Sequence, residues 1–150
     1  MSEYILKNED FSELNKESKI IIITSEFNEE FTLELEWENK KFFIENWFKN
    51  IKTYKVPWAL EIPGLANKLL SENNSISLII CLWVVIKWDT PHFDYVCWES
   101  ARWIMDIGIK YTIPIINWIL TCYNDEQVRE RISNTYAISW LKTLKNYEQF

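Results

Sequence analysis

Residues 31–38 constrain the fold more than any other stretch. Phe31, Leu33, Leu35 and Trp37 alternate with Thr32, Glu34, Glu36 and Glu38. An apolar–polar period of two is the pattern of a strand with one buried and one solvated face. Upstream, the β-branched run at residues 20–24, bounded by Lys19 and Ser25, reads as a buried strand. Residues 25–30 form a polar connection, and residues 38–41 a turn. Residues 41–47 return as a third strand. The spacing of Phe43, Trp47 and Ile51 also suits a helix; the strand is the preferred reading. Tyr4, Ile5 and Leu6 add an edge strand.

The texture changes after Pro57. Pro63, a first-turn residue, opens a short helix reaching about Ser71. Asn74 or Ser75 caps the apolar stretch 76–88, which reads equally as a buried helix or a central strand. Asp89, Thr90 and Pro91 enter a helix whose apolar face carries Phe93, Val96, Cys97, Ser100, Ile104 and Ile107, with Gly108 as its stop. Pro114 opens a helix over 114–122. Asn124 caps another, with Gln127 three residues on, and it runs to about Asn146 on Val128, Ile132, Tyr136, Trp140 and Leu144. The expected architecture is α+β: a small N-terminal antiparallel β meander packed on a C-terminal layer of about four helices. It is expected as one globular domain over 1–150, with an acidic β-rich part at 1–56 and a helical part at 57–150. A chain of 150 residues buries roughly 70% of its unfolded surface and needs neither metal nor disulfide to fold.

Composition removes several function classes. The chain has two glycines, Gly64 and Gly108, too far apart for a glycine-rich phosphate loop. It has one histidine, His92, so no site needing two is available. Residues 1–38 carry eleven acids against three lysines, while the remainder is nearly neutral. Only three of sixteen basic residues are Arg, which disfavours direct nucleic-acid binding and favours a basic protein partner. Cys81, Cys97 and Cys122 sit in apolar neighbourhoods with no C-x-x-C spacing, the pattern of reduced core thiols in a cytoplasmic protein. The N-terminus lacks the pattern of a signal peptide, and the longest apolar run, nine residues at 78–86, is too short to span a membrane. Usage rich in Ile, Lys and Asn points to an AT-rich genome. The nine Trp are too many for one small core, so some should be exposed, as at protein interfaces or sugar platforms.

Three clusters are candidates for function. On a strand, Glu34, Glu36 and Glu38 project to one side, with Glu29 and Glu30 in the preceding loop. This row is either a solvated face or a surface for a basic partner; its linear geometry argues against a metal. Asp89, His92, Asp94 and Cys97 crowd one helix entry. Their spacing does not supply zinc ligands, and capping by acids is the simpler account. A Cys97–His92 nucleophilic pair is disfavoured by the apolar setting of the thiol. Glu99, Arg102 and Asp106 form an ion-pair ladder beside Trp98 and Trp103, which together offer the chemistry of an interface anchor.

No catalytic set, metal site or cofactor is therefore expected. In its size, its acidity, residues Glu29, Glu30, Glu34, Glu36, Trp37 and Glu38, and its lack of a catalytic set, the chain resembles small acidic bacterial toxin-immunity proteins. The resemblance implies a non-catalytic protein that binds and blocks a basic, nuclease-type toxin domain in the cytoplasm. Glu29, Glu30, Glu34, Glu36, Glu38, Trp98, Arg102 and Trp103 are then the expected contact residues. The alternative is a small-molecule or carbohydrate binder using surface Trp residues. A carboxylate-dependent enzyme around Asp89, Asp94 and Glu99 ranks third.

Overall fold

The computed structural model describes residues 10–132 and 137–149. Strand and helix alternate along it: β1 (Lys19–Ser25), α1 (Glu29–Glu45), β2 (Ile51–Val56), α2 (Glu61–Glu72), β3 (Ile76–Ile86), α3 (His92–Tyr111), β4 (Ile115–Cys122), α4 (Asp125–Ile132) and α5 (Ala137–Glu148). The four strands form one sheet in the order β2-β1-β3-β4, and every pairing is parallel. In register, Ile20 lies opposite Ile51 and Leu78, and Ile79 lies opposite Ile115.

The expected antiparallel meander is thus replaced by an α/β fold with helices on both faces of a parallel sheet. A sheet covered on both faces buries both sides of each central strand, so its strands read as unbroken apolar runs. Residues 20–23 and 78–85 are fully buried on this account. In β3, Leu78, Ile80, Leu82 and Val84 face the layer of α1, α4 and α5. Ile79, Cys81, Trp83 and Val85 face α2 and α3. The ambiguous 76–88 stretch is the central strand.

The largest correction falls on residues 31–47. Residues 31–45 belong to one helix, α1, and 46–47 end it, where two strands were expected. Phe31, Leu35, Asn39 and Phe43 are its buried residues at a spacing of four, while Leu33 and Trp37, which the alternation placed inward, are exposed. A period of two over four pairs contains a period of four within it, and Glu, Leu and Lys are good helix formers. Glu29 and Glu30 lie in the first turn, where the helix dipole favours them. Residues 114–122, read as a helix, are mostly strand β4. Their Ile-rich, β-branched content suits a strand that pairs with β3 on one side only. α3 passes its expected stop at Gly108 and ends at Tyr111, with Thr112 in the left-handed region (φ 54°). The final segment is two helices, α4 and α5. The edge strand at residues 4–6, and Tyr136, lie outside the described residues.

Candidate functional site

A parallel sheet carries its ligand sites where the chain reverses its direction of winding, beyond the C-terminal ends of the strands. Here β1 connects outward to β2, and β2 crosses to β3 on the other side of β1. The crevice therefore opens between the loop after β1 (residues 26–28) and the loop after β3 (residues 87–91), with the β2–α2 loop beside it.

Each loop is pinned by hydrogen bonds. Glu26 N–H donates to Val56 O (2.8 Å). The buried Ser25 hydroxyl donates to Pro57 O (3.1 Å) and accepts from Phe27 N–H (3.2 Å). Asn28, left-handed at φ 58°, is the N-cap of α1, and its amide donates to Val84 O (2.8 Å), tying the β1 loop across to β3. Asn is one of the few residues that tolerates this conformation. Trp58 N–H donates to the Glu61 carboxylate (2.8 Å), which closes the start of α2.

The walls are aromatic. Phe27 stacks on Trp58 with ring centroids 4.5 Å apart and meets Trp88 edge-on at 6.2 Å. Trp88 stacks on His92 at 5.5 Å, and His92 lies near-parallel to Tyr95 at 6.3 Å. One row of planar rings thus runs from the end of β1 into the first turn of α3, where the chain's only imidazole, exposed, lies between Trp88 and Tyr95. Glu26, Lys87, Asp89 and Thr90 are exposed around it. Such a site can hold a flat heterocycle by stacking and present an acid–base group at its edge.

The expected site residues are dispersed. Glu34, Glu36 and Glu38 lie on α1, where Glu34 and Glu38, four apart, share a side and Glu36 points to another, so the three form no common row. Glu34 is exposed, and Glu36 and Glu38 are half-buried. Glu29 and Glu30 share the first turn of α1, and Glu30 lies 3.7 Å from Arg129, whose guanidinium sits over Phe31. The ladder of α3 is formed as read: Arg102 pairs with Glu99 and, at 3.4 Å, with Asp106, and it sits over Trp103 at 5.7 Å. Trp98 is 75% exposed and borders an apolar groove of about 720 Å³ between α3 and β4, closed by Tyr147. Trp103 turns the other way, into a cleft against Pro63 and Asn67 of α2.

His92 has ring partners on both sides, while Cys97 packs against the core beneath α2 and α3. Burial and then the nearby Asp94 carboxylate push the Cys97 thiol up to about 11. Burial also raises Cys81 and Cys122, and all three cysteines are free thiols. Among the described residues no group of three or more His, Cys, Asp or Glu is placed to hold a metal ion. No helix among them is long and apolar enough to cross a membrane. Of the crevice residues, His92 and Asp89 are singled out by the sequence as a cluster, and Trp58 and Trp88 only as members of the tryptophan surplus. Phe27 and Asn28 are not, and the signal that places all of them is their position after strands 19–25, 51–56 and 76–86 once the sheet is known to be parallel.

Residues 17–146 match the family described as 6,7-dimethyl-8-ribityllumazine synthase. A protein of that name from Desulfosudis oleivorans is 43% identical over 83 residues, covering 55% of this chain and 52% of the relative. Another from Campylobacter hominis is 38% identical over 120 residues, 79% of this chain and 76% of the relative. A third from Limosilactobacillus reuteri is 34% identical over 114 residues, 76% and 74% of the two chains. The match spans about half the length of some curated relatives and three quarters of others. These relatives are named for a synthase. The expectation of a non-catalytic immunity protein is overturned with that, and the basic toxin partner with it. Size, acidity, the glutamates of residues 29–38 and the lack of a recognised catalytic set carried that resemblance, and none of them depends on what a crevice can bind.

Proposed function

Because the chain belongs to the 6,7-dimethyl-8-ribityllumazine synthase family, we propose that it is an enzyme closing the pyrazine ring of 6,7-dimethyl-8-ribityllumazine in the crevice at the ends of β1 and β3. The observation that carries the reading is the aromatic row from Phe27 to His92, placed where a parallel sheet presents its ligand.

The product's own chemistry sets what the site must do. Its two methyl-bearing ring carbons are neighbours, and each is bonded to a ring nitrogen. They enter as a small carbon unit at the oxidation level of a vicinal dicarbonyl. The nitrogens enter as an amino group and the adjacent ribitylamino group of a pyrimidine. Each carbon–nitrogen condensation expels one water, so the ring closes with the loss of two. Every loss requires a proton on the departing oxygen and the removal of one from nitrogen or carbon. An imidazole suits that exchange near neutral pH. His92, exposed between Trp88 and Tyr95, fills the role. Phe27 supplies the face on which the pyrimidine lies, and the exposed polar residues Glu26, Lys87, Asp89 and Thr90 suit the ribityl hydroxyls. The partners of this chain in this reading are small molecules, and three cysteines without a disulfide suit a cytoplasmic reaction carried out within one domain.

The reading is tested by incubating the full chain with a ribitylamino-aminopyrimidine and a vicinal dicarbonyl-level carbon donor, and following the lumazine by its absorbance and mass. Formation faster than the uncatalysed condensation, lost in Phe27→Ala, supports it. A rate equal to the buffer control in both this chain and its Trp58→Gly variant, in which the ring stacked on Phe27 is removed, would sink it.

A further inference from the structure

Trp47 occupies a backbone position built for glycine. Helix α1 closes with two hydrogen bonds: Trp47 N–H donates to Ile44 O (3.0 Å) and Phe48 N–H to Phe43 O (3.1 Å). The Phe43 and Phe48 rings pack edge to face at 5.9 Å. In this terminating motif the residue after the cap is left-handed, and glycine usually holds it because no Cβ is in the way. Trp47 adopts φ 69° there, where a bulky L side chain is a genuine outlier. Its indole is 76% exposed, so packing does not compensate. The chain's two actual glycines need no such freedom. Gly64 and Gly108 lie within α2 and α3, and neither has positive φ. A Cβ on Gly64 would meet nothing within 4 Å, and one on Gly108 would make ordinary contacts at 3.7 Å.

Two other tryptophans are anomalous by different routes. Trp83 is wholly buried in the middle of β3, and its indole Nε1 has no hydrogen-bond partner among the described residues. Buried indoles normally find one. Trp58 lies flat on Phe27 and fills the space the crevice would offer a ring. The composition shows the same displacement. An average chain of this length has roughly ten glycines; this one has two, with nine tryptophans.

Tryptophan and glycine codons can differ at the first base alone, as UGG from GGG or UGA from GGA. UGA is also the codon whose meaning varies between translation systems. In an AT-rich gene the A-ended form is the favoured one. We propose that positions 47, 58 and 83 are encoded by UGA and that the source organism's own ribosomes insert glycine there. The strain at the end of α1 is then absent, the orphaned donor beneath α2 and α3 disappears, and the face of Phe27 lies open. Positions 47 and 83 stand independently of the enzymatic reading; only the consequence for position 58 rests on it.

The test has two parts that read different things. The codons at the three positions are sequenced, and the peptides covering them are weighed in protein purified from the source organism. The expected result is UGA at each position, with each peptide lighter by the difference between an indolylmethyl group and a hydrogen. UGG at position 47, or a tryptophan mass there, would overturn the proposal whatever the enzyme assay shows. In the recombinant full chain, Trp47→Gly should raise Tm by about 2–4 °C. Trp47→Ala, which keeps a Cβ at the same φ, should raise it less. A glycine variant that melts lower would also overturn the assignment at position 47.

Discussion

Helix α1 joins two ends of the sheet that use one backbone conformation to opposite effect. It starts at Asn28 and is followed at its far end by Trp47, and both residues have φ between 55° and 70°. At the crevice end, the residue is one that tolerates the conformation, and its amide reaches Val84 O to tie two strands together. At the far end, a bulky residue bears the strain and its side chain faces solvent. Around Asn28 lie Phe27, Trp58, Trp88 and His92; around Trp47 lie exposed polar residues such as Lys49, paired with Glu17 at 3.3 Å. The contrast separates two uses of special backbone. One positions a site, and the other only ends a helix. Substitutions at the crevice end should therefore change activity more than stability, and substitutions at the far end should do the reverse.

The largest effect is expected at His92. If it passes the protons of ring closure, His92→Gln should lower kcat by about 10²–10⁴-fold. The ring is exposed and its contacts among the described residues are stacking ones, so Tm should stay within a degree or two. Steady-state kinetics and a melting curve on one preparation check both halves. A variant with full kcat would leave the crevice without its acid–base group and break the contrast at its functional end.

Asn28 should show both effects. Asn28→Ala removes the bond to Val84 and forces a Cβ-bearing residue without local hydrogen bonding into the left-handed region. The two losses together cost about 2–3 kcal/mol. Asn28→Gly keeps the backbone relaxed and loses the bond alone, about 1 kcal/mol. Urea titration of the pair separates conformation from hydrogen bonding. Activity should fall in both variants, because both release the β1 loop from β3. Equal stabilities for the two would mean that the left-handed backbone costs nothing at this position.

Cys97 probes the core beneath α3, between the two ends. Its thiol is raised from 9.0 to about 11, first by burial and then by Asp94. The folded state thus holds the proton more tightly than the unfolded chain. The associated stability is complete below pH 9 and is lost as pH climbs through about 11. Unfolding measured between pH 8 and 11 should show this alkaline decline, and Cys97→Ser should flatten part of it. Labelling of native Cys97 should stay slow at neutral pH and quicken toward pH 11. Fast labelling at pH 7 would mark a reactive thiol close to the site.

How much of this could be read from the sequence depended on which signals were unambiguous. Residues 20–23 were legible as a buried strand because four consecutive isoleucines fit little else. The entry of α3 was legible from Pro91 and its buried face from spacing, although no side chain caps this helix. The alternation at 31–38 misled because four repeats of period two also satisfy period four, and only the neighbouring layer decides between them. The direction of the strands was not legible at all. An antiparallel return needs only a turn, and residues 38–41 resemble one until α1 is seen to run through them. With the direction wrong, the C-terminal ends of the strands could not be collected at one edge. Phe27, Trp58 and Trp88, separated by about thirty residues each, then looked like isolated aromatics. His92 drew notice because it is unique, but its ring partners, Trp88 in the loop just before α3 and Tyr95 three residues on, carry no motif that marks them as a stack.

The smallest effect is expected at the far end. Lys49 and Glu17 are both largely exposed, so their attraction is screened by water and salt and offset by the ordering of two long side chains. Lys49→Ala should cost about 0–0.5 kcal/mol. It should leave kcat and KM unchanged, since among the described residues no hydrogen bond links Lys49 to the crevice. The bond from Lys49 N–H to Lys16 O, which holds the chain as it turns from α1 into β2, belongs to the backbone and survives the substitution. The measurement therefore isolates the side chain. A stability loss above about 1 kcal/mol, well outside the range for an exposed pair, would show that the charge pair itself fixes this turn. A change in KM without a change in stability would mean that the two ends of α1 communicate, and the division of labour along the helix would have to be abandoned.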